Sequence, residues 1–178
     1  MNTPQAVAAQ YSTSANLDAR IQLHERFGVE PKPWSHWLLD QFDLPPAAQI
    51  LEVGCGTGKL WQANLDRLPP SWSITLTDQS AGMLAQTRAN LDGQAKRFAF
   101  EQMDVQTLTF PDATFDAVVA NHMLYHVPDL AKGLMEIARV LKPGGKLFAA
   151  TNGAEHLIEM HELVHQFDAN FAVKPWRL

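Results

Sequence analysis

The stretch "QILEVGCGTGKLW", Gln49–Trp61, sets three glycines, Gly54, Gly56 and Gly58, between a short apolar run and a segment of helical character. A turn of this kind lets a ligand approach the backbone closely, because no Cβ intervenes. Three templates compete for it. A P-loop needs glycine, four residues, then Gly-Lys-Ser/Thr. Gly58-Lys59 fits the end of that pattern, but Val53 stands at the first glycine and Leu60 replaces the magnesium-binding hydroxyl. A dinucleotide turn needs G-x-G-x-x-G, and Lys59 sits where the third glycine belongs. What remains is an acidic residue, Glu52, two positions ahead of three alternating glycines. A carboxylate there is a poor neighbour for pyrophosphate and suits a ligand carrying positive charge, such as an amino group or a sulfonium. A glycine turn that merely joins strand to helix is the plain alternative.

From Gln49 onward, strand and helix signals alternate. "QILEV" is a short apolar strand, "WSITLT" alternates Trp72, Ile74 and Leu76, and "RFAFEQM", "FDAVVAN" and "KLFAAT" supply three more. Between them, Trp61, Asn64, Leu65 and Leu68 fall at helical spacing. Ser80 is a candidate cap for a helix bearing Met83, Leu84, Thr87 and Leu91. Asp129 is one for a helix whose Leu130, Leu134, Ile137, Ala138 and Leu141 form a stripe. A last helix is expected over about residues 154–169. Ahead of Gln49, Leu17, Ile21 and His24 share a helical face, and "PKPWSHWLLDQF" reads as a second helix opened by Pro33. The expected organisation is an N-terminal helical cap over residues 1–46 and a ligand-binding domain over 47–178. Strands joined by crossover helices imply an α/β fold: a doubly wound, Rossmann-like parallel sheet of five strands with helices on both faces. Ligands then bind beyond the C-terminal strand ends.

Composition narrows the partners. The chain has 178 residues, 46% hydrophobic and 19% charged, with a formal net charge of −5 and no basic run. A protein whose main partner is nucleic acid would show a Lys/Arg-rich face. The single cysteine, Cys55, excludes an intrachain disulfide and fits a reducing compartment. The start "MNTPQAVAAQ" lacks the basic and apolar regions of a signal peptide, and no apolar stretch approaches a membrane span. A cytoplasmic location and no membrane partner are the expectations.

Two acidic residues follow the next two strands. Asp78 ends the second, where a carboxylate can accept hydrogen bonds from both ribose hydroxyls. Asp104 follows the third, where it can accept from an adenine amino group while the Val105 amide reaches a ring nitrogen. Taken alone, Asp78 also reads as a capping or turn residue, Asp104 as a solvated loop residue, and Met83 as core or as a wall for the adenine. Together with the glycine loop they fall at successive strand ends, within reach of one nucleoside.

"LEVGCGTG", "LTDQSAGML", "MDVQTLTFPDATFDAVVANHMLYHV" and "ARVLKPGGKLF" together resemble class I S-adenosylmethionine-dependent methyltransferases, in the small-molecule branch that includes quinone-biosynthesis methyltransferases. The resemblance runs from about Gln49 to Thr151. It implies S-adenosylmethionine as methyl donor, S-adenosylhomocysteine as product, and a small-molecule acceptor. It places Glu52, Gly54, Cys55, Gly56 and Gly58 at the methionine part, Asp78 and Gln79 at the ribose, and Met83, Asp104 and Val105 at the adenine. Asn121 would lie near the sulfonium end. Tyr11 and Arg20 are candidates on an N-terminal segment closing over the cofactor. Such sheets usually carry a sixth and a seventh strand, which this sequence is expected to lack, as if truncated at its C-terminus. That would leave an exposed sheet edge open to dimer formation.

Methyl transfer from a sulfonium asks chiefly for alignment. A base is needed only if the acceptor must lose a proton, and "NHMLYHV" offers His122 and His126. A rival reading comes from "HELVH", His161–His165, which matches the H-E-x-x-H of zinc hydrolases with Glu162 as base. Its histidines flank a stripe of Leu157, Met160, Val164 and Phe167 that suits a core, and no third ligand is in view, so no metal is expected. A cofactor-binding module without turnover is a further alternative.

Overall fold

The computed structural model describes residues 26–28, 31–153 and 158–168. Five parallel strands form one sheet: β1 (Gln49–Val53), β2 (Ser73–Asp78), β3 (Phe98–Gln102), β4 (Phe115–Asn121) and β5 (Leu141–Ala150). Their order is β3-β2-β1-β4-β5. The chain therefore winds one way through β1, β2 and β3, then returns to the other side of β1. The switch point lies between β1 and β4, where an open α/β sheet leaves a crevice for a ligand.

Strand periodicity sorts the core into two layers. Ile50 and Val119 face a cluster with Trp61, Leu76, Leu84, Leu91 and Phe98. Leu51, Val53, Val118 and Ala120 face the opposite cluster with Ile137 and Val140. The helices covering these layers are α1 (Trp34–Asp40), α2 (Lys59–Gln62), α3 (Ala81–Leu91) and α4 (Leu130–Val140), with α5 (Ile158–Phe167) following β5. The α1 helix adds Leu38 and Leu39 to the first layer. It is tied down where Asp40 pairs with Lys32 and Arg67.

Several boundaries differ from the sequence expectation for identifiable reasons. The α2 helix stops at Gln62, because the Asn64 side chain donates to the Leu60 carbonyl at 2.7 Å and competes for the acceptor that a further helical turn would use. Strand β5 begins at Leu141 instead of Lys146. Leu141 pairs with Phe115 and Lys146 with Ala117, so "KPGG" is a bulge inside the strand, with Gly144 at φ 78°. The stripe expected on α4 is rotated. Gly133, Ile137 and Val140 are buried, whereas Leu134 and Ala138 are exposed. Gly133 permits this, since a Cβ there would stand 3.2 Å from Val127 Cγ1. On α5, Ile158, Leu163 and Phe167 are exposed. Phe167 is 95% exposed, and no strand pairs with the outer edge of β5 among the described residues. Both capping expectations agree with the structure: Ser80 Oγ accepts from the Met83 amide and Asp129 Oδ1 from the Lys132 amide.

Candidate functional site

The glycine loop leaves β1 and turns into α2, with Gly54, Gly56 and Gly58 all at positive φ. Gly58 has a second constraint besides its φ of 71°. A Cβ there would lie 2.5 Å from Thr87 Cγ2 on α3. The missing side chain is what lets α3 close on the loop. Thr87 completes the contact by donating to the Gly56 carbonyl at 2.6 Å.

Asp78, at the end of β2, reaches under the same loop. Its Oδ2 accepts from the Gly56 amide at 2.9 Å and its Oδ1 from the Ser80 amide at 2.8 Å. Each carboxylate oxygen retains acceptor capacity. Burial pushes the Asp78 carboxyl up, while these two amides pull it down.

Glu52 is 3% exposed, one strand away. Trp61 Nε1 donates to its Oε2 at 2.6 Å and Asn121 Nδ2 to its Oε1 at 3.3 Å. Burial dominates here: the carboxyl is pushed up to about 8, against the pull of Trp61 and Asn121 and with a further push from the charge of Asp78. The folded state thus binds a proton that the unfolded chain has released. Stability contributed by the neutral carboxyl is complete below about pH 4.5 and is lost as pH rises towards about 8. The slope cannot exceed about 1.4 kcal/mol per pH unit for one group. Glu52→Gln should remove that slope. The glutamine can accept from Trp61 and donate to a turned Asn121 amide. Urea unfolding of both chains across this window measures it, and an unchanged slope in the variant would refute the assignment.

Asp104 sits at the end of β3 and caps a short 3-10 turn, Val105–Thr107. Its Oδ1 accepts from the Gln106 amide at 2.8 Å, and Gln106 Nε2 lies 3.0 and 2.9 Å from its two oxygens. Beyond β4, His122 occupies the left-handed region at φ 52°, held by its amide donating to the Ala150 carbonyl at 2.8 Å. Its ring stands 5.4 Å from that of Trp34, which opens α1.

A family profile described as "Methyltransferase domain" matches residues 51–149, more than half of the chain. The chain belongs to that family. It is of the class I, S-adenosylmethionine-dependent type. A ubiquinone/menaquinone biosynthesis C-methyltransferase of Bordetella avium is 33% identical over 142 residues, covering 80% of this chain and 52% of the relative. A bifunctional biotin biosynthesis protein of the same species is 38% identical over 120 residues, covering 67% and 25%. The chain therefore spans about half the length of the quinone-biosynthesis relatives it matches. Among solved structures, an S-adenosylmethionine-dependent methyltransferase from Mesorhizobium loti superposes with a TM-score of 0.55 at 24% identity, covering 67% and 55%. The cyclase SpnF superposes with a TM-score of 0.67 at 24% identity, covering 83% and 59%. At these identities the likeness shows the fold alone.

Within this methyltransferase domain, the structure brings Glu52, the glycine loop, Asp78 and Asn121 into one bonded cluster. Cys55 belongs to it as a buried side chain, its Sγ 3.8 Å from Thr87 Oγ1 and its thiol pushed up by burial, so it carries little thiolate. Met83 is buried and Val105 packs under α4. Gln79 is exposed, and its carbonyl accepts from Gln102 Nε2 at 2.9 Å. His126 lies one turn beyond His122, its ring edge-on to Tyr125 with centroids 4.4 Å apart. Tyr11 and Arg20 lie outside the described residues. The "HELVH" segment is helical, with Glu162 and His165 exposed. Among the described residues no group of three His, Cys, Asp or Glu is placed to hold a metal, and no helix is long and apolar enough to cross a membrane. Sequence reasoning missed three residues that organise the site: Trp61 as the donor to Glu52, Thr87 as the partner of Gly58, and Trp34 beside His122. Each looked like an ordinary helical residue, and each role is fixed by a contact distant in sequence.

Proposed function

We propose that this domain binds S-adenosylmethionine and directs its methyl group to a small-molecule acceptor. One observation carries the reading. Two carboxyl groups, the buried Glu52 and the half-buried Asp78, stand at adjacent strand ends beside a glycine backbone, with a buried acceptor that meets no donor among the described residues, Asn121 Oδ1, between β4 and the loop. That set of acceptors suits a ligand with two hydroxyls at one end and a cation at the other.

When bound, S-adenosylmethionine would supply a methyl carbon activated by its sulfonium. The residues of the chain do the rest. Asp78 would accept from the ribose hydroxyls through its remaining lone pairs, and Gln79 would flank them. Gly54, Cys55, Gly56 and Gly58 would admit the methionine part, with Glu52 and Asn121 meeting its positive charge. Asp104, the Val105 amide and Met83 would bound the adenine, and Tyr11 and Arg20 would close the site from the N-terminal side. Trp34 and His122 would form a rim for the acceptor, and His122 or His126 would take a proton if that acceptor must lose one. The similarity to quinone-biosynthesis C-methyltransferases supports a small-molecule acceptor.

Calorimetry with S-adenosylmethionine, S-adenosylhomocysteine and NAD tests the reading. Both sulfur nucleosides should bind and NAD should not. Binding of NAD alone would overturn it.

A further inference from the structure

The turn that leaves α3 holds a strained backbone in one place. Asp92, directly after the helix, has φ 43° and ψ −133°, a combination that crowds any residue with a Cβ. Both sides of the turn are pinned. The Asp92 amide donates to the Ala89 carbonyl, and Leu91 is buried. Gln62 Nε2 donates to the Asn90 carbonyl, and Asn90 Nδ2 to the Thr57 carbonyl of the glycine loop. Downstream, Arg97 donates to the Leu65 and Leu68 carbonyls, and Phe98 is buried at the start of β3. The residue after Asp92 is Gly93, and both are exposed. We propose that Asp92-Gly93 is a site of spontaneous covalent modification: the Gly93 amide nitrogen closes on the Asp92 carboxyl carbon to form a succinimide, which opens to an isoaspartyl link.

The backbone angles carry this assignment. Substituents of a tetrahedral Cα lie about 120° apart around the Cα–C bond, so in an L residue the following amide nitrogen eclipses Cβ at a ψ of about −120°. The ψ of Asp92 lies close to that value. Nitrogen and carboxyl carbon are therefore on one side of the residue, and rotation of an exposed side chain brings them together. Gly93 has no side chain to shield its nitrogen. It is the second residue of a 3-10 turn, Asp92–Arg97, so its amide has no acceptor within that turn. Among the described residues no hydrogen bond or ion pair engages the Asp92 carboxyl. The reaction needs no co-reactant. The Gly93 nitrogen gives up its proton and bonds to Cγ, and the carboxyl hydroxyl leaves as water. Water then adds back to the ring. Opening at Cγ restores aspartate. Opening at the main-chain carbonyl carbon leaves Gly93 bonded through Cγ, with the main chain one methylene longer. That longer link escapes the restriction that strains Asp92.

The experiment incubates the folded full chain in mildly acidic water enriched in heavy oxygen, because water leaves more readily than hydroxide. The end-blocked peptide Ala89–Lys96, which trypsin also releases from the chain, is incubated beside it. Mass spectrometry of that peptide follows loss of one water, then uptake of heavy oxygen and isoaspartate at residue 92. The folded chain should convert at least as fast as the free peptide, since it already holds the eclipsed ψ that the peptide visits as one conformation among many. Gly93→Ala should slow conversion several-fold by shielding the nitrogen, and its new Cβ meets nothing within 4 Å, so the fold is kept. Asp92→Glu, whose longer side chain cannot close the five-membered ring, should give no conversion. Asn152-Gly153, the other such pair, loses ammonia in place of water and lies in a different tryptic peptide, so it is counted separately. Slower conversion in the folded chain than in the peptide, or an undiminished rate in Gly93→Ala, would overturn the proposal. The comparison of wild-type chain with peptide stands as a test even if a variant does not fold.

Discussion

Asp78→Ala should bind S-adenosylhomocysteine on the order of 100-fold more weakly than the wild-type chain while still unfolding cooperatively. The affinity loss follows from removing an ionised acceptor for two hydroxyls, since a hydrogen bond to a charged group contributes about 1.5–3 kcal/mol. The modest effect on folding follows from two opposing changes. The variant loses the bonds from the Gly56 and Ser80 amides. It also loses a carboxylate that burial disfavours, so the net cost should be about 1 kcal/mol. Calorimetry gives the first quantity and urea unfolding the second. Unaltered nucleoside affinity would remove Asp78 from the ligand's neighbourhood.

Gly58→Ala attacks the scaffold instead. The new Cβ must share space with Thr87 Cγ2, at 2.5 Å, and the residue must hold a φ of 71°. Left-handed backbone costs a residue with a Cβ about 1–2 kcal/mol, and overpacking adds about 1–3 kcal/mol. A loss of about 2–5 kcal/mol, large against the 5–15 kcal/mol of a typical domain, is expected. Thr87→Ser in the same chain deletes Cγ2 while keeping a hydroxyl for the Gly56 and Met83 carbonyls. It should recover the steric part and leave the backbone part. A double-mutant cycle in urea isolates that coupling. Wild-type stability in the single variant would show that α3 does not close on the loop in this way.

The fold was legible wherever local patterning decides it. The five strands, the caps at Ser80 and Asp129 and the turn after β1 all follow from alternation and capping chemistry within a few residues. Boundaries set by competition were not legible. The end of α2 depends on which group takes the Leu60 carbonyl, and the start of β5 depends on a bulge that only pairing with β4 reveals. The same division runs through the site. Glu52 and Asp78 announced themselves as acidic residues at strand ends. That Glu52 would have both oxygens engaged, one by an indole, needed the closure of α2 over β1. The α4 stripe was misplaced because the sequence shows which residues are apolar, and Gly133, the residue that seats the helix, shows no hydropathy at all. The apolar face expected to bury α5 is likewise exposed at Phe167, because a helix finds its core only where the sheet provides one.

The Glu52–Asn121 bond joins residues 69 positions apart. It exists only after β4 has inserted beside β1, across an intervening stretch of chain that carries β2 and β3. Contacts of such long range form late, because loop closure must be overcome before they contribute. A ligand that grips both residues therefore recognises chains in which β1 and β4 have paired. Partly folded chains would offer it little, so occupancy of the site would act as a check on assembly and would chiefly slow the unfolding of molecules that had already folded.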